Sequence, residues 1–249
     1  MQDVPPNLAS GFDAVIHLSG ESVAGRWTSG KKRRIRDSRV VSTCNLSQAL
    51  AFAEKKPAVF LCASAIGYYG NRGEEVLTED SPCGTGFLAE VSREWEAATK
   101  PASDAGIRTV NLRIGIVLSR DGGALKQMLL PFRLGLGGRI RSGSQWWSWI
   151  HIDDLISAIW QILKTDAVSG PVNMTAPNPA TNAEFTRTLA TALHRPAILP
   201  IPAFAARLAF GELADEGLLS SARVKPKKLL SSGFTFQFPN LGEALKALL

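Results

Sequence analysis

Three short apolar runs, spaced by stretches of helical period, restrict this chain more than any other feature. They are DAVIHL at 13–18, AVFLCA at 58–63 and IRTVNLRIGIVL at 107–118. Runs of this kind, without the alternation of a half-solvated strand, belong to strands covered on both faces. Between them, residues 29–54 carry Ile35, Val40, Leu46 and Leu50 near helical spacing behind a capping Ser29. A second helical stretch at 86–100 carries Leu88, Val91 and Trp95. Strand and helix in alternation imply βαβ units, hence a parallel sheet with helices on both faces.

Beyond 118 the pattern predicts a helix at 124–134, a glycine-rich stretch at 135–143 and an aromatic run of Trp146, Trp147 and Trp149. A helix from about Asp153, which can cap it, to Lys164 follows, then a strand at 171–174 and a helix at 181–193. After about 198 come a helix near 203–211, the segment 222–238 and a last helix at 240–248. The division expected is residues 1–197 as a partial Rossmann-like domain, with substrate-side insertions from about 124, and 198–249 as a small α+β lobe.

Net charge is +6, which favours anionic partners without choosing among them. The basic run Lys31, Lys32, Arg33, Arg34, Arg36 and Arg39 has no nucleic-acid recognition motif beside it. A solvated helix face therefore ranks above nucleic acid. Cys44, Cys62 and Cys83 are far apart, with no CxxC, so neither a disulfide framework nor a metal site is expected. Residues 1–13 have no charged n-region and no apolar h-region, and no run reaches the ~18 residues of a membrane span. A soluble, cytoplasmic protein is expected.

Several segments, in order, resemble one family: VIHLSGESVAGRW at 15–27, SRVVST at 38–43, ASAIGYYG at 63–70 and EDSPCGTGFLAEVSREWE at 79–96. To these add LRIGIVLSRDGGAL at 112–125, LPFRLGLGG at 130–138 and WIHIDDL at 149–155. The set is similar to the epimerase family of the atypical short-chain dehydrogenase/reductases, from about residue 11 to the end. The resemblance implies NADP(H), lying across the carboxyl ends of the strands where strand order reverses. It implies cofactor contacts at Leu18, Ser19, Gly20 and Glu21 after the first strand. It also implies contacts at Arg34 and Arg39 on the next helix, at Ala63, and at Ile116. Glu21 is equally readable as a surface carboxylate.

Two departures accompany the resemblance. No glycine-rich GxxGxxG loop precedes the first strand, so the Rossmann unit is expected to be N-terminally incomplete. The 13–18 strand is then expected to expose an apolar edge open to homo-oligomerisation. The superfamily's Tyr-x-x-x-Lys pair is also missing: Phe87 or Leu88 takes the tyrosine position and Val91 or Ser92 the lysine position. Ser64 matches the superfamily's active-site serine, and Tyr68 or Tyr69 is a candidate replacement phenol. Three readings stay open. The first is an NADP(H)-dependent oxidoreductase or epimerase-like enzyme of unknown small-molecule substrate. The second is a non-catalytic nucleotide-sensing or interaction module, and the third, ranked last, a nucleic-acid binder. His151 with Asp153 and Asp154 reads as a helix start, His17 as structural, and His194 as a helix end. No metal is inferred.

Overall fold

The computed structural model describes residue 5 and residues 9–249; the absence of a leader read from residues 1–13 therefore rests mostly on residues outside those described. The elements in chain order begin with β1 (Ala14–His17), α1 (Ser29–Ala51), β2 (Val59–Ala65), β3 (Val76–Leu77), α2 (Phe87–Ala97), α3 (Lys100–Asp104) and β4 (Arg108–Ile114). Next come β5 (Ile116–Leu118), α4 (Gly123–Arg133), β6 (Trp146–Trp147), β7 (Trp149–His151), α5 (Ile152–Lys164), β8 (Gly170–Met174), β9 (Ala180–Thr181) and α6 (Asn182–Ala192). The last are α7 (Ala203–Phe210), β10 (Arg223–Val224), α8 (Lys227–Ser231) and α9 (Leu241–Leu248).

The main sheet is parallel, in the order β1-β2-β4-β8. β2 and β4 are buried along nearly their whole length because both faces are covered, whereas β1 alternates exposed and half-buried residues rather than being the covered strand expected at 13–18, because it lies at the sheet edge. Phe60 and Cys62 meet Leu50, Trp95 and Ala102 of the helices α1 to α3. Leu61, Val110, Leu112 and Val172 meet Leu155, Ala158 and Ile162 of α5 and Leu229 of α8. This is the Rossmann-type α/β architecture that the alternation implies. Strand order increases steadily across the four strands, so no reversal point lies within them. β1 is an edge strand, and Ile16 and Leu18 on or beside it are 44% and 56% exposed.

Several boundaries differ from the sequence expectation. Thr28, not Ser29, caps α1, its hydroxyl accepting the Lys31 N–H. His151, not Asp153, caps α5: its Nδ1 accepts the Asp153 N–H at 3.1 Å. The helix expected at 86–100 stops at Ala97, and Pro101, which has no N–H to donate, sits in the first turn of the separate α3. The run 107–118 is two strands. At Gly115 the chain leaves β8 and joins β7, passing so close to Ser148 that a Cβ would lie 2.7 Å from its carbonyl oxygen. Apolar character continues through the break, which hid it.

The region after 198 is mostly helical rather than an even α+β mixture. Its one strand among the described residues is the two-residue β10, paired with β3. A third core cluster gathers Leu125 and Phe132 of α4, Trp147, Trp149, Phe185 and Leu189 of α6, and Leu245 of α9. Trp147 and Trp149 are thus core residues. Trp146 is half-buried, its Nε1 donating to Glu74 at 2.7 Å. The buried Asp154 ties the C-terminal segment to α5 by accepting the N–H groups of Gln237 and Phe238 at 2.8 and 3.0 Å.

Candidate functional site

The carboxyl ends of β1, β2 and β4 carry two polar assemblies. The first lies at the end of β1. Leu18, Ser19 and Gly20 are exposed there. The Glu21 N–H donates to Ser38 Oγ at 2.9 Å, so the turn is pinned to α1. Arg39 crosses beneath: its Nη1 donates to the carbonyls of Glu21 and Ile35, at 2.9 and 3.1 Å, and its guanidinium lies 5.0 Å from the Trp95 ring centroid. A Cβ on Gly20 would lie 3.2 Å from Arg39 Cζ, which is why the smallest residue stands there. Burial draws the Arg39 pKa down and Glu21 opposes it. Glu21 accepts from Lys31 Nζ at 2.6 Å and faces Arg34 Nε at 3.7 Å. The Lys31 bond holds the Glu21 carboxyl below its ordinary range. Arg34 remains largely in solvent.

Structure therefore brings Gly20, Glu21, Arg34 and Arg39 together, with Leu18 and Ser19 on the same turn. It also accounts for the basic run. Lys31 and Arg34 face Glu21, Lys32 pairs with Glu212, and Arg36 pairs with Glu94 at 2.6 Å. These are cations matched to carboxylates of the same chain. His17 Nδ1 lies 3.4 Å from Ser19 Oγ and its Nε2 3.5 Å from Ser42 Oγ; burial lowers its pKa.

The second assembly is buried. Arg113, 2% exposed near the end of β4, donates through Nε and Nη2 to the two oxygens of Glu96, each at 2.8 Å. Its Nη1 donates to Tyr69 Oη at 2.9 Å, and its guanidinium stacks 3.5 Å from the Tyr68 ring centroid. Burial pulls the Arg113 pKa down, but the Glu96 bonds outweigh it and the pKa ends raised. Tyr69 donates to Asn173 Oδ1 at 2.7 Å, and burial pushes its phenol up to about 12. Ser64 belongs to this network: its hydroxyl donates to Glu96 Oε1 at 2.7 Å. Its proton is committed, so toward a ligand it can only accept. Tyr68 is half-buried, and its hydroxyl makes no hydrogen bond among the described residues.

Ala63 is buried in the core on β2. Ile116 opens β5, pairs with Trp149 and packs against the third core cluster rather than beside the β1 turn. The positions of the missing Tyr and Lys are now visible. Leu88 Cβ lies 3.3 Å and Ser92 Oγ 3.8 Å from where a Gly67 Cβ would be, so this stretch of α2 packs against the Tyr68–Tyr69 turn, and neither pair of candidates, Phe87 with Val91 or Leu88 with Ser92, supplies a phenol or an ammonium.

Glu96, Asn173 and Glu216 are polar residues that sequence reading did not single out, whereas Tyr69, named there beside Tyr68, has its hydroxyl tied to Asn173 and Arg113. Glu216 reaches back from a π-type turn at Ala214–Leu218 to accept the N–H groups of Phe87 and Leu88, at 3.2 and 3.1 Å. It thereby caps the helix that carries Leu88 and Ser92. One signal for Glu96 was present: a charged Arg113 inside an apolar strand requires a buried partner.

A parallel sheet with small residues and arginines at its strand ends defines a Rossmann-type dinucleotide fold. Sequence comparison narrows the class. Residues 6–175 match the NAD dependent epimerase/dehydratase family, and residues 201–248 match a domain of unknown function, DUF1731. The chain belongs to that epimerase family. It is 45% identical over 241 residues to the epimerase family protein Mb2239 of Mycobacterium bovis, covering 96% of this chain and 79% of that protein. It is 40% identical over 242 residues to the epimerase family protein SDR39U1 of Bos taurus, covering 95% and 82%. The human SDR39U1 (isoform 2), solved with NADPH, superposes with a TM-score of 0.91 at 38% identity, covering 96% of this chain and 82% of that one. UDP-glucuronic acid 4-epimerase from Bacillus cereus, at 16% identity and TM-score 0.76, shares the fold. Among the described residues no helix is long and apolar enough to cross a membrane.

Proposed function

We propose that this chain binds NADPH and acts as an oxidoreductase or epimerase-like protein on a small molecule bearing a hydroxyl or carbonyl group. The observation that carries the reading is the β1 turn. Gly20 is exposed and lets the backbone of the turn be approached closely, and Arg39 leaves Nε and Nη2 without hydrogen-bond partners among the described residues, close to the exposed Arg34, at the carboxyl end of β1. The NADPH found with human SDR39U1 supports it. A phosphate would be held by Arg34 and Arg39, whose planar forks suit it, with Leu18, Ser19 and Glu21 completing the turn around it and Ala63 and Ile116 as apolar wall. Bound NADPH would supply the hydride. Ser64 would accept a hydrogen bond from a substrate hydroxyl, and Tyr68 would donate one to a substrate oxygen. The unpaired Cys44, Cys62 and Cys83 go with a reducing, cytoplasmic setting.

A second reading is binding without turnover. It is favoured by the lack of a phenol and an ammonium at 87–92, where the family's Tyr-x-x-x-Lys pair would fall, and by the commitment of the Ser64 proton. An NMR titration with NADPH and NADH, followed by NADPH oxidation against a panel of carbonyl compounds, separates the two. We expect NADPH to move the amide signals of 18–21 more than NADH does, and at least one carbonyl to be reduced. Binding without oxidation would leave the second reading standing; failure of both cofactors to bind would remove both.

A further inference from the structure

A concavity elsewhere on the molecule shares no residue with the β1 turn. One face of α6 forms the floor of an open groove of about 590 Å³, walled on its other side by Arg139 and by Arg195 to Ile198. Arg139, Arg187, Arg195 and His194 line it, and no carboxylate does. Two of these cations have a structural account. Arg195 Nε donates to the Arg133 carbonyl at 3.1 Å, and both His194 and Arg195 follow the C-terminal end of α6, where positive charge complements the helix dipole.

Arg139 and Arg187 have no such account. Neither guanidinium makes a hydrogen bond or ion pair among the described residues. This contrasts with Lys31, Lys32, Arg34 and Arg36 of α1, which are matched to carboxylates. Both side chains are exposed and line the same groove, so their donors are available to an anion there. A third, independent observation comes from the groove wall. Thr186 is 3% exposed, and its hydroxyl is buried with no hydrogen-bond partner. A buried hydroxyl left unpaired is costly, and such a group calls for an explanation. Ala190 and Ile198 supply apolar surface beside these polar groups. The volume falls in the range of small-ligand sites.

We propose that this groove binds a small organic bisphosphate. Arg139 and Arg187 each take one phosphate, Thr186 takes an oxygen, and the carbon skeleton rests on Ala190 and Ile198. Two phosphates are called for because two unpaired guanidinium groups, from separate segments of the chain, line the groove. The site is independent of the cofactor reading.

The test is an NMR titration of the full chain with fructose 1,6-bisphosphate and 2,3-bisphosphoglycerate, with inorganic phosphate as control. At least one bisphosphate should move the signals of Thr186, Arg187 and His194, leave 18–21 unmoved, and bind at least ten-fold more tightly than inorganic phosphate. The R139Q/R187Q double variant, altered only at exposed side chains, should keep its melting temperature and weaken that binding ten-fold or more. T186V should weaken binding several-fold while melting no lower than the parent, because it removes an unpaired hydroxyl without changing shape. Silence from both bisphosphates would overturn the proposal, as would binding indifferent to R139Q/R187Q, or inorganic phosphate binding equally well. Tighter, steeply salt-dependent binding of single-stranded RNA at the same arginines would also overturn it, in favour of a nucleic-acid surface.

Discussion

Arg113 and Arg39 lie at the same end of one sheet, each against an aromatic ring, and they do different work. Arg113 spends Nε, Nη1 and Nη2 on Glu96 and Tyr69 and is nearly sealed from solvent. Arg39 spends only Nη1, on two backbone carbonyls, and meets no carboxylate at bonding distance. The first is bound into the fold. The second fixes a turn and keeps donors for something else. A guanidinium already satisfied by a buried carboxylate has little left for a ligand, whereas one held by a single nitrogen is oriented and still available.

The sharpest way to test this contrast is to remove Arg113. Arg113→Met keeps the length of the side chain but leaves Glu96 a buried, unpaired charge and frees Ser64 and Tyr69 from their anchor. Breaking a buried pair on one side costs about 3–5 kcal/mol. At ~2–4 °C per kcal/mol for a chain of this size, melting should fall by about 10 °C. Arg113→Met combined with Glu96→Leu should recover much of that loss, since replacing both partners by apolar groups is often close to neutral. If the single variant melts within 2 °C of the parent, the distinction between the two arginines fails.

The same contrast shows what could be read from the chain. The buried strands were legible because hydrophobic runs record burial, and the helices because their period does. Ser64 was found by its place at the end of β2, but its direction of hydrogen bonding was not, because Glu96 is 32 residues away in sequence. That Arg34, Arg39 and the 18–21 turn lie near one another was legible because all belong to one βα unit. The split of 107–118 into two strands was not legible because nothing in IRTVNLRIGIVL marks the exit at Gly115, where a close pass by Ser148 moves the chain to another sheet. Capping by His151 was missed because Asp153, one turn position later, is the commoner capping residue type.

That cap supplies a smaller effect. His151 is buried, stacks on Phe238 at 3.9 Å, and must keep Nδ1 unprotonated to accept the Asp153 N–H. Burial lowers its pKa, with Asp153 and Asp154 opposing. The folded state therefore releases the proton more readily than the unfolded state, whose value is near 6.5. The stability this contributes is complete above that pH and is lost as pH falls below it toward the folded value. His151→Asn retains a capping acceptor and removes the titration. Between pH 7.5 and 5.5 its melting temperature should decline less than the parent's; His17, shifted in the same direction, is present in both proteins and cancels. Parallel declines would mean that the cap does not govern acid sensitivity.

The smallest effect on stability and the largest on binding should come from the same substitution. Arg34→Gln with Arg39→Gln removes two cations from around Glu21. Arg34 is largely in solvent, where an ion pair is worth ~0–1 kcal/mol. Arg39→Gln can still reach one backbone carbonyl with its amide, and Lys31 still holds Glu21 at 2.6 Å. Melting should therefore drop far less than for Arg113→Met. NADPH affinity should fall at least ten-fold, the loss of about 1.4 kcal/mol expected when charge-assisted bonds to a phosphate go, while NADH affinity changes little. The opposite pattern, a large loss of stability with NADPH binding intact, would place Arg39 with Arg113 among the residues that hold the fold. It would leave the β1 turn without the free donors on which the cofactor reading rests.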